Sequence, residues 1–441
     1  MATTSDEIER KYDGPAVRAD LLAGLAGVAE VVGPDHQSLD ATYYDTADMR
    51  LARAGITLRR RIGGEDEGWH VKLPVRPGHR REVHVPLDRS PGEVPDELAR
   101  LVRAYITHRP LRRCAHIVTE RDVWRLVDEH GDVLAEVVDD TVQAQELGDQ
   151  EGPVHTWHEV EVELGSGDED LLAAVDERLA EAGAIPSTED SKLARALGDR
   201  LPGPERTRLT RKSSAADVVS AYLRTHVESM RAADVAVRLD EPEGVHDERV
   251  AVRRLRSSLR VFGAIIVRPR IEMLAAELKW LSDLLGAVRD HEVLRDELAH
   301  VIHTTPPELV LGPVQAHVDR YLAKPVAEAR ESLRTAMDDE RYLNLLDTLD
   351  ILLADPPYRD VARRRATDVL PPLVAKVYRK SHQAAMSATR MPPGPDRDAA
   401  LHLVRRRVKR LRYGAEAVEP VIGKPARRLA RRSGDVQTLL G

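Results

Sequence analysis

Polar and apolar residues alternate with a period of two in six short runs of the first 200 residues: 57–62, 69–73, 81–87, 122–127, 133–138 and 157–164. That period puts successive side chains on opposite faces of a strand. Turn formers separate the runs, among them Gly63-Gly64, Pro77-Gly78, Gly131-Asp132 and Gly165-Ser166-Gly167. The pattern predicts an antiparallel sheet or barrel with a few helices, the clearest at 16–30 and 169–183. Residues 201–213 hold two prolines, a glycine and several charges, and read as a linker. From 214 to 441 the apolar spacing changes to 3.6. It predicts helices at 215–238, 248–267, 271–285, 289–302, 311–337, 340–353, 361–385, 396–417 and 425–440. The expected fold class is α+β and multidomain: a mostly β region at 1–200 and an all-α region at 214–441.

The helical region repeats itself. His246-x2-Arg249-x3-Arg253-x2-Arg256 recurs as His402-x2-Arg405-x3-Lys409-x2-Arg412, 156 positions later. Leu284-Leu285-Gly286 recurs as Leu439-Leu440-Gly441, 155 positions later. A duplicated unit is therefore expected. The first copy runs on into Ala287-Val288-Arg289-Asp290 while the second stops at Gly441, so the second is expected to lack its last helices. On a helix, His246, Arg249, Arg253, Arg256 and Arg260 form one stripe, beside an apolar stripe of Val252, Leu255, Leu259 and Phe262. His402, Arg405, Lys409, Arg412 and Glu416 repeat the charged stripe, beside Val404, Val408, Leu411 and Ala415. One such stripe is ordinarily a solvated face. Two copies, each opening with His, could pool their cations if a pseudo-twofold relates the helices. Such a rail costs stability unless an anion binds there. Nucleic-acid bases call for aromatic partners, and the rails carry only Tyr413, so a string of phosphates fits better.

In the β region, charge is stacked on single strand faces. Glu7, Glu9 and Lys11 share one parity, as do Glu159, Glu161 and Glu163. Arg59, Arg61, Lys72 and Arg81 lie on the strands between. One Glu-x-Glu strand is usually an outward face. Several such strands make sense when they close into a barrel with a polar interior. Carboxylates hold Mg2+ or Mn2+, and Arg and Lys hold phosphate oxygens. His155 and His158 face opposite ways on a strand and read as surface residues. There is no Gly-x4-Gly-Lys loop and no Gly-x-Ser-x-Gly elbow.

Composition adds limits. The net charge of −8 does not by itself suggest a nucleic-acid binder, although 32% of residues are charged and only ten of the 66 basic residues are lysine. Arg forms bidentate bonds to phosphate and carboxylate, which gives its placement weight. Cys114 is the only cysteine. An intrachain disulfide and a cysteine zinc cluster are excluded, and a reducing cytosol fits. The first residues carry no signal-peptide pattern, and no apolar run approaches the roughly 18 residues that span a bilayer. A cytoplasmic protein with neither membrane nor nucleic acid as partner is expected.

Several motifs in order then carry a resemblance. Residues 1–200 resemble a CYTH domain of the triphosphate tunnel metalloenzyme superfamily. The motifs are Glu7-x-Glu9-x-Lys11, Tyr43-Tyr44-Asp45-Thr46, Leu58-Arg59-Arg60-Arg61, Trp69-His70-Val71-Lys72-Leu73-Pro74, Arg81-Glu82, Arg121, Glu159-x-Glu161-x-Glu163 and Ser191-Lys192-Leu193. Residues 214–441 resemble a CHAD domain through the two His-Arg helices and Leu285-Gly286-Ala287-Val288-Arg289-Asp290. The resemblance implies an eight-stranded antiparallel tunnel open at both ends, followed by helical bundles. It implies hydrolysis of inorganic triphosphate or a related phosphoanhydride with Mg2+ or Mn2+. Glu7, Glu9, Glu159, Glu161, Glu163 and Asp140 (preferred to Asp139 because it shares the parity of Glu136) would be the metal-side carboxylates. Lys11, Arg59, Arg61, Lys72, Arg81, Arg121 and Lys192 would clamp phosphates. The helical domain would bind inorganic polyphosphate through the rails and Arg289. A protein that only grips polyphosphate with both domains remains the second reading, and a nucleotide cyclase lacks a base-specific pocket.

Overall fold

The computed structural model describes residues 2–76, 78–87, 92–148, 152–201 and 208–440. The chain divides into two compact units, Met1–Glu205 and Arg206–Gly441. Of the expected linker at 201–213, residues 202–207 lie outside the described residues, as does Gly441 of the repeat.

The first unit holds the strands β1 (Thr3–Asp13), β2 (Glu30–Asp45), β3 (Thr57–Ile62), β4 (Gly68–Arg76), β5 (His79–Pro86), β6 (Arg112–Val127), β7 (Val133–Glu146), β8 (Val154–Leu164) and β9 (Ile185–Pro186). Its helices are α1 (Ala19–Leu22), α2 (Arg50–Arg53), α3 (Asp96–Leu101), α4 (Arg103–Ile106), α5 (Glu169–Glu181) and α6 (Lys192–Leu197). Strands pair antiparallel in the order β5-β4-β3-β2-β6-β7-β8-β1, and β1 also pairs with β5, so eight strands close into a ring. The short β9 attaches to the end of β1. Helix expected at 16–30 is one turn, α1, and β2 starts at Glu30.

Period-two alternation decides what faces the lumen. Tyr12, Leu126, Val137, Val160 and Val162 point outward and are buried under Leu172, Val175 and Leu179 of α5. Asp168 caps α5 by accepting from the Leu171 N–H at 2.9 Å. The inward side chains divide by depth. Ala41, Tyr43, Ile117, Val142 and Ala144 pack with Leu193, Ala196 and Leu197 of α6. The lumen expected to be open from end to end is thus filled at this level by an apolar plug. Ser191 caps α6 through the Ala194 N–H at 3.1 Å, which sets Lys192 at the plug's inner edge.

The second unit is helical throughout: α7 (Ala215–Arg238), α8 (Gly244–Phe262), α9 (Arg268–Thr304), α10 (Val314–Asp338), α11 (Glu340–Ala354), α12 (Ala366–Thr389), α13 (Pro395–Ile422) and α14 (Lys424–Leu439). The two helices expected at 271–285 and 289–302 are one, α9. Gly286 is buried inside it, where an added Cβ would meet only the Arg249 guanidinium at 3.9 Å. That glycine does not break the helix. Val252, Leu255, Leu259 and Phe262 of α8 and Val404, Val408, Leu411 and Ala415 of α13 are all buried, so both apolar stripes form core. Among the described residues no helix is long and apolar enough to cross a membrane.

Candidate functional site

The lumen of the ring encloses a cavity of about 290 Å3. Among the described residues, nine carboxylates and eight cations line it. Strand register explains the gathering. Glu9 lies opposite Glu163, Lys11 opposite Glu161 and Glu159 opposite Asp140. Asp140 lies opposite Arg121, and Thr57 opposite Lys72. Residues level with each other across the ring share a face, so the inward charges form a continuous belt.

One end of the belt is acidic. Asp140, Glu159 and Glu161 offer oxygens within 4.8 Å of one another. Lys192 sits among them, its Nζ 2.9, 2.7 and 2.8 Å from the three in that order. Arg121 donates to both oxygens of Asp140, at 2.9 and 2.7 Å, and Lys11 donates to Glu161. Burial alone would raise the Glu161 carboxyl, but Lys11, Lys192 and Arg121 hold it well below its ordinary range. Burial likewise opposes the charge on Lys192, and Asp140, Glu161 and Glu159 raise its pKa in spite of it. Lys192 and Arg121 likewise hold the buried Asp140 carboxyl below its ordinary range. Three hard oxygen donors at this spacing form a cation site, and the Lys192 ammonium sits in it. Of that cluster Glu161 lines the cavity, together with Glu7, Glu9 and Glu163, which are engaged differently. Glu7 accepts from Lys72 at 2.6 Å, and burial pushes its carboxyl up to about 8. Glu9 pairs with Arg80 at 2.7 Å and Lys11 at 3.3 Å. Burial raises the Glu163 carboxyl.

The other side is basic. Arg59, Arg61, Lys72 and Arg121 line the cavity, and the Nε atoms of Arg59 and Arg61 are buried with no hydrogen-bond partner. Arg59 reaches the Tyr43 hydroxyl at 3.4 Å and Glu82 at 3.8 Å, and Arg61 pairs with Asp66. Unpartnered guanidinium donors facing a polar lumen are a standing offer to an oxyanion.

One expected residue is placed elsewhere, and several others in the cavity were overlooked. Arg81 turns out of the lumen and pairs with Asp6 at 2.7 Å on the outer surface. It shares the parity of Val83 and Val85, both buried, and that parity was the available signal. Arg80 faces inward in its place, with Glu82, which accepts from His70 at 2.9 Å. Asp140 faces in and Asp139 out, where Asp139 accepts from the Val17 N–H at 2.6 Å and pairs with His158. Arg125 and Glu136, paired at 2.9 Å, also line the cavity.

In the helical unit the rails meet. Burial and the nearby Arg253, Arg405 and Arg249 together push Lys409 down to about 8. Arg253 donates to the Tyr413 hydroxyl at 3.1 Å, and the Nε of Arg405 is buried with no partner. Arg249 faces Asp290 at 3.4 Å. The rails do not stay whole. Arg289 pairs with Glu292 at 3.2 Å and Arg412 with Glu416 at 2.8 Å. Arg256 and Arg260 turn toward Arg410 instead. His246 is half-buried and His402 exposed.

Comparison with known proteins agrees with this architecture. The CYTH domain model matches residues 5–197, and the CHAD domain model matches residues 221–441. An uncharacterized protein of Mycobacterium tuberculosis is 37% identical over 451 residues, covering 99% of this chain and 85% of that protein. Human thiamine-triphosphatase is 30% identical over 181 residues, covering 37% of this chain and 75% of the enzyme. Among solved structures, the CHAD domain from the plant Ricinus communis aligns at 24% identity and a TM-score of 0.44, over 54% of this chain and 77% of that one.

Proposed function

Because the chain belongs to the family that joins a CYTH domain to a CHAD domain, we propose that its ring hydrolyses a phosphoanhydride, with inorganic triphosphate as substrate, and that its helical unit binds inorganic polyphosphate. The supporting observation is the lumen itself. It lines one cavity of about 290 Å3 with Glu7, Glu9, Glu161 and Glu163 and, facing them, with Arg59 and Arg61, whose Nε atoms have no hydrogen-bond partner.

CYTH domains are metal-dependent, and Glu9, Glu161 and Glu163, which line the cavity, are the carboxylates here that would hold a hard divalent cation, whereas Asp140 and Glu159 already enclose the Lys192 ammonium. Bound there, Mg2+ or Mn2+ supplies charge neutralisation for phosphate oxygens. The remaining work falls to side chains of the chain. Arg59, Arg61, Lys72 and Arg80 bind and align the phosphate chain from the basic side. Arg121 and Lys192 span the two sides and complement charge on the phosphoryl group. Phosphoryl transfer needs positioning and electrostatic stabilisation more than covalent help, which matches a site built of fixed charges. Glu7, whose raised pKa holds a proton near neutrality, is placed to exchange it with water or a leaving oxygen. The apolar plug around α6 keeps bulk water from one end.

The test is phosphate release from triphosphate, longer polyphosphate, thiamine triphosphate and ATP, each with Mg2+, Mn2+ or chelator. Metal-dependent release, fastest from triphosphate, is expected. No release from any of them would leave both units as polyanion binders.

A further inference from the structure

The internal repeat pairs Arg254 of α8 with Arg410 of α13, and Arg260 with Glu416. The contacts respect this pairing. Arg254 meets Glu416 at 2.6 Å. Their counterparts Arg410 and Arg260 are neighbours too, since burial first and then Arg260 and Arg407 lower the Arg410 pKa. At one position of the repeat, however, the charge is inverted: Arg260 stands where the other copy has Glu416.

The inversion makes two unlike sides from one duplicated unit. On the first, Glu416 accepts from both Arg254 and Arg412, and the Arg254 guanidinium lies 4.8 Å from the centre of the Tyr413 ring. That side is neutralised and closed. On the second lies a cavity of about 790 Å3, between α8, α9, α12 and α13. Arg260, Arg268, Arg359, Lys376, Lys380, Arg407 and Arg410 line it against a single carboxylate, Glu272. Among the described residues none of these seven cations has an ion-pair partner; the Arg407 guanidinium donates to the Lys380 carbonyl, at 3.0 Å. The volume falls within the range of small-ligand pockets, about 300–1,000 Å3. Seven like charges around a recess repel one another, and a multiply charged anion removes that cost.

We propose that this cavity is a second anion site, which takes the end or a short stretch of a phosphate chain, separate from the Arg253–Lys409 rail. The proposal rests on the reading that the helical unit binds phosphate chains. It adds that the duplicated unit is one-sided: a phosphate chain held on the rail has a pocket on the Arg260 side and a closed wall on the Glu416 side. Arg260, expected to extend the rail, lines the pocket instead.

The experiment uses the full chain in chelator, which suppresses metal-dependent hydrolysis, with tetrapolyphosphate and long-chain polyphosphate as titrants followed by calorimetry. Arg260→Glu copies the residue the other half already carries. Lys376→Glu with Lys380→Glu changes two exposed side chains outside the rail. Arg249→Glu with Lys409→Glu disables the rail alone. Both pocket variants are expected to lose one bound tetrapolyphosphate per chain, or to weaken it at least about tenfold, with circular dichroism and phosphate release in metal unchanged. The rail variant is expected to keep that site and lose long-chain affinity. Wild-type tetrapolyphosphate binding in both pocket variants overturns the pocket while leaving the rail in place. A wild-type chain that binds neither titrant through its helical unit, with all variants alike, overturns the polyphosphate reading itself.

Discussion

Arg80 and Arg81 are adjacent, equally basic and opposite in consequence. Arg80 reaches Glu9 inside the lumen, and Arg81 holds Asp6 on the outer surface. Arg80→Ala is expected to raise KM for triphosphate at least about tenfold, the worth of one charge-assisted bond, while Arg81→Ala leaves steady-state kinetics unchanged. A KM effect confined to Arg81→Ala would reverse the facing of β5. Glu161 bears a second contrast. It pairs with Lys11 and Lys192 and belongs to the carboxylate cluster. Glu161→Gln keeps its size and loses its charge, so kcat is expected to drop at least about a hundredfold, as when one transition-state contact is removed. Apparent metal affinity should fall with it, read from activity against Mg2+ concentration. Full activity would move the metal elsewhere.

At the scale of elements, α7, α8 and α11 share a buried polar knot. Tyr342 donates to Asp234 at 2.8 Å and lies 3.3 Å from Glu248, and Arg238 donates to Asp234 at 2.7 Å. Burial, with Asp234 adding to it, holds the Glu248 carboxyl well above its ordinary range. Burial raises the Asp234 carboxyl as well, against the pull of Arg238, while Glu248 has no arginine of its own and holds its proton. A carboxyl raised in the fold binds its proton more tightly there than in the unfolded chain. Its stabilisation is whole below the ordinary carboxylate range and is lost as pH climbs toward the folded value. Urea unfolding of the wild type should therefore weaken with rising pH by up to about 1.4 kcal/mol per unit relative to Glu248→Gln, which stays neutral. Parallel slopes would assign the proton elsewhere.

Elements also show what the sequence made legible. Period-two parity was enough to turn Glu7, Glu9, Lys11, Arg59, Arg61, Asp140 and the Glu159–Glu163 set inward, because a strand's faces follow from counting. Parity was available for Arg80 too, but two adjacent arginines hide it unless Val83 and Val85 are used as the reference. The outer end of β2, residues 30–37, was not legible: its charged and small residues are mostly exposed and show no alternation. Gly286 looked like a helix end and lies inside α9. The apolar plug was missed because Ala41, Ile117 and Val142 share inward parity with the charges, and depth along a barrel leaves no mark in the pattern. The rail spacing foretold that α8 and α13 pool cations, but not that the Arg260–Glu416 inversion splits them.

For the molecule as a whole, the net charge of −8 conceals a cationic meeting place on the helical unit. Long-chain polyphosphate affinity should fall at least about tenfold between 50 and 200 mM salt through counterion release, and a flat response in fluorescence titrations would exclude the rails as the contact. The closing of the ring has a different kind of consequence. Strand β1 pairs with β5 on one side and with β8 on the other, joining residues about 80 and 150 positions apart. The first strand to be synthesised can thus pair with β5 early, but on its other side it has no partner until the last of the eight is made. Loop-closure entropy must be met before any reward from the lumen's ion pairs arrives. A nascent chain halted short of residue 154 holds Glu7, Glu9 and Lys11 without Glu159, Glu161 and Glu163, and it presents an unpaired β7 edge to any other exposed strand. Assembly of the charged belt is thus a late, all-or-none event in the life of the polypeptide, and the interval before it is when the chain is most exposed to association with its own copies.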